Sequence, residues 1–247
     1  MRLPRIYHPG PLTTGACLRL SDTAGHHLAN VLRLSVGQPL LIFNGEGKDY
    51  VATITGLKKS KVEVSLGEAT VVTNEAQRYV HLGQALARAD KMDWIIQKAV
   101  ELGVKEITPV LTEHCGHRLN KTQLDKKTVH WQAVIISAAE QCGRARLPHL
   151  NSALDFSCWL NQVSTSQKLI ASLATARPLR QIKISNQQPV TLLIGPEGGF
   201  SKAELLLAEQ QGFQAFQLGP RVLRTETAAL AALSILQSYE EGTPHDE

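Results

Sequence analysis

Glycine, proline and charge gather between Thr191 and Thr227, which read T-L-L-I-G-P-E-G-G-F-S, then a short helical pattern, then F-Q-L-G-P-R-V-L-R-T-E-T. Gly198 and Gly199 have no side chain to hold another molecule away from the backbone. Glu197, Arg224 and Glu226 are residue types that accept a proton or stabilise a developing charge. Two apolar runs of strand length, Thr191 to Ile194 and Ala215 to Leu218, each end at Gly-Pro, and each leads through a loop toward a helix. Ligands of open α/β sheets bind beyond the carboxyl ends of the strands. Two such loops side by side, one glycine-rich and one carrying Arg221, Arg224 and Glu226, build one pocket.

The elements around these loops are legible. Ser201 and Glu204 form a capping box that starts a helix with Leu205, Leu206 and Ala208 on its apolar face, and Gly212 stops it. A long helix runs from Thr225 to about Tyr239, apolar nearly all round over Ala228 to Leu236, so it is buried on more than one side. The glycine loop is not G-x-G-x-x-G, and neither G-x-x-x-x-G-K-[ST] nor G-x-S-x-G occurs. Hydride transfer, nucleotide hydrolysis and serine hydrolysis thus lack their usual signatures. His114, Cys115 and His117 are three possible metal ligands in four residues, which do not make a tetrahedral site, and no metal is expected.

The remaining chain divides in two. Residues 1–73 read as β-rich: a strand at Leu18 to Leu20, a helical turn or two at His26 to Leu34, a hairpin of Pro39 to Phe43 and Tyr50 to Ile54 about N-G-E-G, a turn at Lys58 to Lys61, and alternating Val62, Val64 and Leu66. Residues 68–77 read as a connector, with the boundary near 73. Beyond it strands and helices alternate: a strand at Tyr79 to Leu86, a helix capped by Asp90, a strand at Ile107 to Leu111, a helix through Trp131 and Cys142 stopped at Gly143, and a strand at Leu169 to Leu173. That alternation argues for a mostly parallel sheet with helices on both faces.

Net charge is +4 over 247 residues, and residues 1–73 carry eight Lys/Arg against five Asp/Glu. This balance is compatible with nucleic acid and far from diagnostic of it. Arg2, Arg5, His8, Arg19 and Arg33, with Arg144 after the long helix, are the candidate RNA contacts. The four cysteines show no C-x-x-C spacing, no stretch approaches a membrane span, and the N-terminus lacks a signal-peptide core, so a cytoplasmic protein with free thiols is expected.

I-G-P-E-G-G-F-S followed by L-G-P-R-V-L-R-T-E-T-A resembles the SPOUT methyltransferases, specifically the RsmE family of 16S rRNA uracil-N3 methyltransferases. So do R-I-Y-H-P, H-H-L-A-N-V-L-R-L, F-N-G-E-G, D-K-M-D-W-I-I-Q-K-A-V-E-L-G-V and A-A-E-Q-C-G-R-A-R-L-P, which together span nearly the whole chain. The resemblance implies an N-terminal PUA-like β-barrel (1–73) that binds RNA and an α/β-knot methyltransferase domain (74–247) with a deep trefoil knot. It implies S-adenosylmethionine bound by Leu173, Ala174, Ile194, Gly195, Pro196, Glu197, Gly198, Gly199, Leu218, Gly219, Leu223, Arg224 and Thr225. It also implies a homodimer and 16S rRNA of the small ribosomal subunit as substrate. Within that frame Arg224 is expected to stabilise the uracil oxyanion, and Glu197 or Glu226 to accept the proton. Two other readings stay open: a methyltransferase of the same fold acting on another RNA nucleotide, and a non-catalytic RNA-binding assembly factor.

Overall fold

The computed structural model describes residues 3–116, 119–165, 167–172, 177–184 and 188–238. Arg2, His117, Leu173, Ala174 and the acidic tail from Glu240 lie outside the described residues. The chain forms two compact units, 1–75 with 136–147, and 76–135 with 148–247. Residues 136–147, the end of the long helix and the segment after it, group with the N-terminal strands.

The first unit holds β1 (Arg5–Tyr7), β2 (Cys17–Arg19), α1 (Asp22–His26), a π-helical turn (His27–Val31), β3 (Pro39–Phe43), β4 (Lys48–Lys58) and β5 (Lys61–Val71). Its sheet has the order β1-β3-β4-β5-β2. Side chains alternate across a strand, so Tyr50, Ala52 and Ile54 of β4 and Val62, Val64 and Leu66 of β5 all face one core with Leu28, Leu40 and Ile42. β5 is longer than expected: Glu68 to Val71, taken as connector, continue the strand, and Val71 pairs with Lys48. β1 was not anticipated, because three residues carry too little periodicity to detect.

Two arginines expected to meet RNA are instead internal. Arg5 is 7% exposed; it pairs with Asp49 at 2.6 Å, donates to the carbonyls of Ala139 and Arg144, and lies over the Phe43 ring. Arg144 is 4% exposed and pairs with Glu75 at 2.9 Å. A guanidinium is buried only when its donors are met, and these are spent inside the unit, out of reach of a phosphate at the surface. Arg19 is exposed and pairs with Asp22. Arg33 is exposed and sits at φ 53°, a left-handed conformation that a non-glycine residue rarely adopts.

The second unit contains β6 (Val80–Ala85), α2 (Ala89–Glu101), β7 (Glu106–Leu111), most of α3 (Lys121–Cys142), β8 (His149–Leu150), β9 (Leu154–Asp155), α4 (Phe156–Gln162), β10 (Gln167–Ala171), β11 (Arg177–Pro178), β12 (Val190–Ile194), α5 (Lys202–Gln210), β13 (Gln214–Gln217) and α6 (Thr225–Ser238). The sheet runs β11-β13-β10-β12-β6-β7-β8, with β9 also on β7. Its recorded pairings are all parallel, as the strand–helix alternation requires. Every residue of β6 and of β12 is buried, the mark of strands covered on both faces.

α2 packs its Met92, Ile95, Ile96, Ala99 and Val100 face inward and meets α6. Asp90 does not cap it: Arg88 holds the N-cap position, no side chain caps, and Asp90 lies in the first turn, where its charge favours the helix dipole. α4 falls in a stretch to which the sequence pattern assigns no element. It brings Trp159 against the sheet, and a Cβ on Gly83 of β6 would overlap that ring.

Candidate functional site

A cavity of about 500 Å³ opens at the carboxyl ends of β10, β12 and β13, where an open parallel sheet binds its ligands. Its size suits a nucleoside-sized molecule. The first wall is the loop after β12, Gly195 to Phe200; the second runs from Phe216 to Leu218 and from Arg221 to Thr225; the third is Ala171 and Ser172.

The glycine loop is fixed from several sides. The Ser201 side chain accepts from the Glu204 N–H and Glu204 returns a bond to the Ser201 N–H, so the expected capping box is present. The other oxygen of Glu204 accepts the Glu113 N–H at 2.8 Å, tying in the turn after β7. From that turn His114 places Nδ1 3.2 Å from the carbonyl oxygens of both Gly198 and Gly199. Carbonyl oxygens only accept, so Nδ1 carries the proton. A Cβ on Gly198 would stand 2.9 Å from the His114 Cβ, and Gly199 holds φ 68°. Bare backbone is thus required on both counts.

The two Gly-Pro loops are joined by a buried chain of hydrogen bonds. Gln84 Nε2 on β6 donates to Thr225 Oγ1 at 3.0 Å, and Thr225 Oγ1 donates to the Gly195 carbonyl at 2.6 Å. Thr225, the first residue of α6, therefore fixes where the last helix starts relative to the glycine loop.

Ile194, Gly195, Pro196, Glu197, Gly198, Gly199, Leu218, Leu223, Arg224 and Thr225, all expected around one ligand, line this one cavity; Gly219 does not. Leu173 and Ala174 follow Ser172 in the chain but are outside the described residues. Arg224 is exposed at the cavity wall. Glu197 lines it as well. Burial would raise the Glu197 pKa, but its own backbone N–H, that of Arg88, and Lys91 outweigh this and hold the carboxyl below the ordinary range. Glu226 does not line the cavity: its carboxylate stands behind Lys91, 3.5 Å from the ammonium. Lys91 itself lines the cavity and was missed. The available signal was its place in the first turn of α2, where a cation opposes the helix dipole.

A second cavity, about 560 Å³, lies at the amino ends of β6 and β7. Tyr79 donates to Glu106, Asn151 donates to Glu106 and to Thr108, and His81 Nε2 is 2.7 Å from Thr108 Oγ1. Trp159 lines the same cavity.

Comparison with known proteins agrees with this architecture. Residues 74–237 match the RNA methyltransferase domain, and residues 20–67 match the RNA methyltransferase PUA domain. A Buchnera aphidicola protein named ribosomal RNA small subunit methyltransferase E is 34% identical over 96% of this chain and 96% of its own length. A Neisseria gonorrhoeae ribosomal RNA small subunit methyltransferase E, solved bound to S-adenosyl methionine, is 37% identical with a TM-score of 0.91, covering 96% of this chain and 98% of that one. A Legionella pneumophila structure in complex with the cofactor SAM is 40% identical with a TM-score of 0.94, covering 97% and 98%. With both units matched and the sheet, the glycine loop and the cavity in place, the chain belongs to the RNA methyltransferase family whose curated members are named ribosomal RNA small subunit methyltransferase E.

Proposed function

We propose that this chain methylates N3 of one uridine in the 16S rRNA of the small ribosomal subunit, using S-adenosylmethionine. The observation that supports this best is the backbone-floored cavity at the carboxyl ends of β10, β12 and β13, in a chain whose fold matches two structures holding that cofactor. The residues present fit the group. Ile194, Phe216, Leu218 and Leu223 give apolar walls for a flat base, and the glycine loop leaves room that a Cβ would fill. Ile194 to Gly199, Leu218 and Leu223 to Thr225 would hold it.

When bound, S-adenosylmethionine supplies an activated methyl: its S–CH3 bond breaks as N3–CH3 forms, the bonding pair stays on sulfur as a neutral thioether, and the N3 proton is released. The chain's own work is alignment and charge. The fixed loops hold the reactants in line. Arg224, exposed at the wall, offers donors to the uracil oxygens as they gain charge. Of the two carboxylates expected to take the proton, Glu197 lines the cavity and takes it, and Glu226 stands behind Lys91. N3 lies on the pairing edge of the base, so the target is drawn out of its stack or pair to be reached.

The remaining expectations follow the same reading. The five-stranded N-terminal sheet closes as a PUA-like barrel and holds RNA through Arg33 and His8, with Arg2 adding a phosphate contact. The second unit carries the trefoil knot. Leu230, Ala231 and Ile235 of α6 are only half-buried, which suits a homodimer through this helix. Assembled small subunits place the work in the cytoplasm.

The test is transfer of labelled methyl from S-adenosylmethionine to unmodified small subunits, with the labelled nucleoside identified by mass spectrometry. Label in 3-methyluridine at one position is expected. Label in another nucleoside would move the target. Absence of both label and cofactor binding would leave an RNA-binding assembly factor.

A further inference from the structure

The roles above leave two charged side chains of the cavity unused, Arg221 and Lys91, and only Lys91 is ion-paired to another lining residue among the described residues. Lys91 is in the first turn of α2 and lines the cavity. A cation there faces the positive end of the helix dipole, so the position is costly unless carboxylates meet it. Two do. The Lys91 ammonium is 3.3 Å from Glu197 Oε1 and 3.5 Å from Glu226 Oε2. The three side chains come from three segments: α2, the glycine loop and α6. The same Glu197 oxygen accepts the Arg88 N–H at 3.3 Å, so α2 grips the loop twice. Glu226 Oε2 is buried and, among the described residues, has no hydrogen bond. A buried carboxylate oxygen left this way calls for an explanation, and its ion pair with Lys91 is what faces it.

We propose that Lys91 is a positioning residue of the methyl-transfer reaction, its ammonium tying Glu197 at the cavity wall to the Glu226 carboxylate behind it and fixing where the target base can sit. This rests on the methyltransferase reading given above. Backbone and apolar side chains make up most of the lining, so cofactor affinity depends little on the bridge. Alignment of the base and release of its proton depend on it more. Among the described residues Lys91 is the charged group that meets Glu197, Glu226 reaches it through Lys91, and Arg221 and Arg224 line the same cavity.

The experiment compares full-length wild type, K91M and K91R by three readouts: the calorimetric Kd for S-adenosylmethionine, a carbon-detected NMR titration of the Glu197 carboxyl without cofactor, and kcat and KM on small subunits. In K91M the Glu197 carboxyl titrates at higher pH. Its kcat falls by about 10- to 100-fold, the scale of a small misplacement, while the cofactor Kd changes by less than about three-fold. K91R restores both the titration and most of kcat. The proposal is overturned by a K91M protein whose Glu197 titration is unchanged, by parallel losses of cofactor affinity and kcat, or by a K91R protein as impaired as K91M. A wild type that binds cofactor but labels no nucleoside would overturn the reading of the target, and this role with it. Failure confined to the variants leaves that reading standing.

Discussion

At the amino ends of β6 and β7 polar side chains answer one another: Tyr79 and Asn151 both donate to Glu106, Asn151 also donates to Thr108, and Thr108 meets His81. At the carboxyl ends of β10, β12 and β13 only some do: Lys91 bridges Glu197 and Glu226, and Gln84 donates to Thr225. There Arg224 is exposed on the wall, and the floor is bare glycine backbone. The two cavities are similar in volume. The difference lies in where hydrogen-bonding capacity is spent. A network satisfied internally stabilises the fold and has little left for a ligand, whereas donors and acceptors held in reserve, on loops fixed by other contacts, are available to one. One atom departs from this contrast, since Trp159 Nε1 at the amino-end cavity is buried with no hydrogen-bond partner among the described residues.

The largest expected effect falls at the carboxyl end. Arg224→Ala should lower kcat by about 100- to 1000-fold, as for loss of one donor to a developing oxyanion, while calorimetry finds cofactor binding nearly unchanged. Unchanged turnover would remove Arg224 from the reaction. Gly198→Ala should weaken cofactor binding about ten-fold, because its Cβ would crowd His114 and overpacking of this kind costs about 1–3 kcal/mol; equal affinity would show that the loop yields freely.

Glu106→Ala should do the opposite. Removing an acceptor shared by Tyr79 and Asn151 lowers unfolding stability by about 0.5–1.5 kcal/mol, readable by denaturant titration, with cofactor affinity unaltered. A loss of cofactor affinity there would erase the contrast between the two ends.

The same cluster predicts acid sensitivity. Burial holds the His81 pKa below its ordinary value, against the pull of Glu106 and helped by His149. Burial would raise the Glu106 pKa, but the hydrogen bonds from Tyr79 and Asn151, with His81 and His149, hold it low. Both folded pKa values are depressed, so the unfolded chain takes up protons first and stability falls as pH falls. The His81 contribution is complete above about pH 6.5, the unfolded value, and is lost below it; that of Glu106 is lost below about pH 4.3. Melting temperature should therefore drop from pH 7 to pH 5, and His81→Gln should flatten that drop. The smallest effect is expected at a residue that lines neither cavity. Arg33→Ala should weaken RNA binding modestly and reduce its salt slope by about one, with methyl transfer at saturating RNA unchanged.

The loops were readable because their chemistry is local. Gly-Pro after an apolar run, paired glycines, and S-x-x-E each impose a conformation within a few residues, and Ile194 to Gly199 and Leu223 to Thr225 line the cavity together. Arg5 and Arg144 were misread because an arginine looks alike in sequence whether it faces water or a buried carboxylate. Asp49 and Glu75, which bury them, are 44 and 69 residues away. Lys91 escaped notice because its partners, at 197 and 226, belong to other segments.

The sequence by itself determined the parallel sheet, the helix that Ser201 caps, and the need for backbone approach at Gly198 and Gly199, since periodicity, capping and the missing Cβ act over short range. Only the tertiary structure decided which charges meet. The Lys91–Glu197–Glu226 bridge, the Gln84–Thr225–Gly195 chain and the burial of Arg5 join residues distant in sequence, and a side chain's charge and hydrogen bonds are set by what the fold brings within a few ångströms of it.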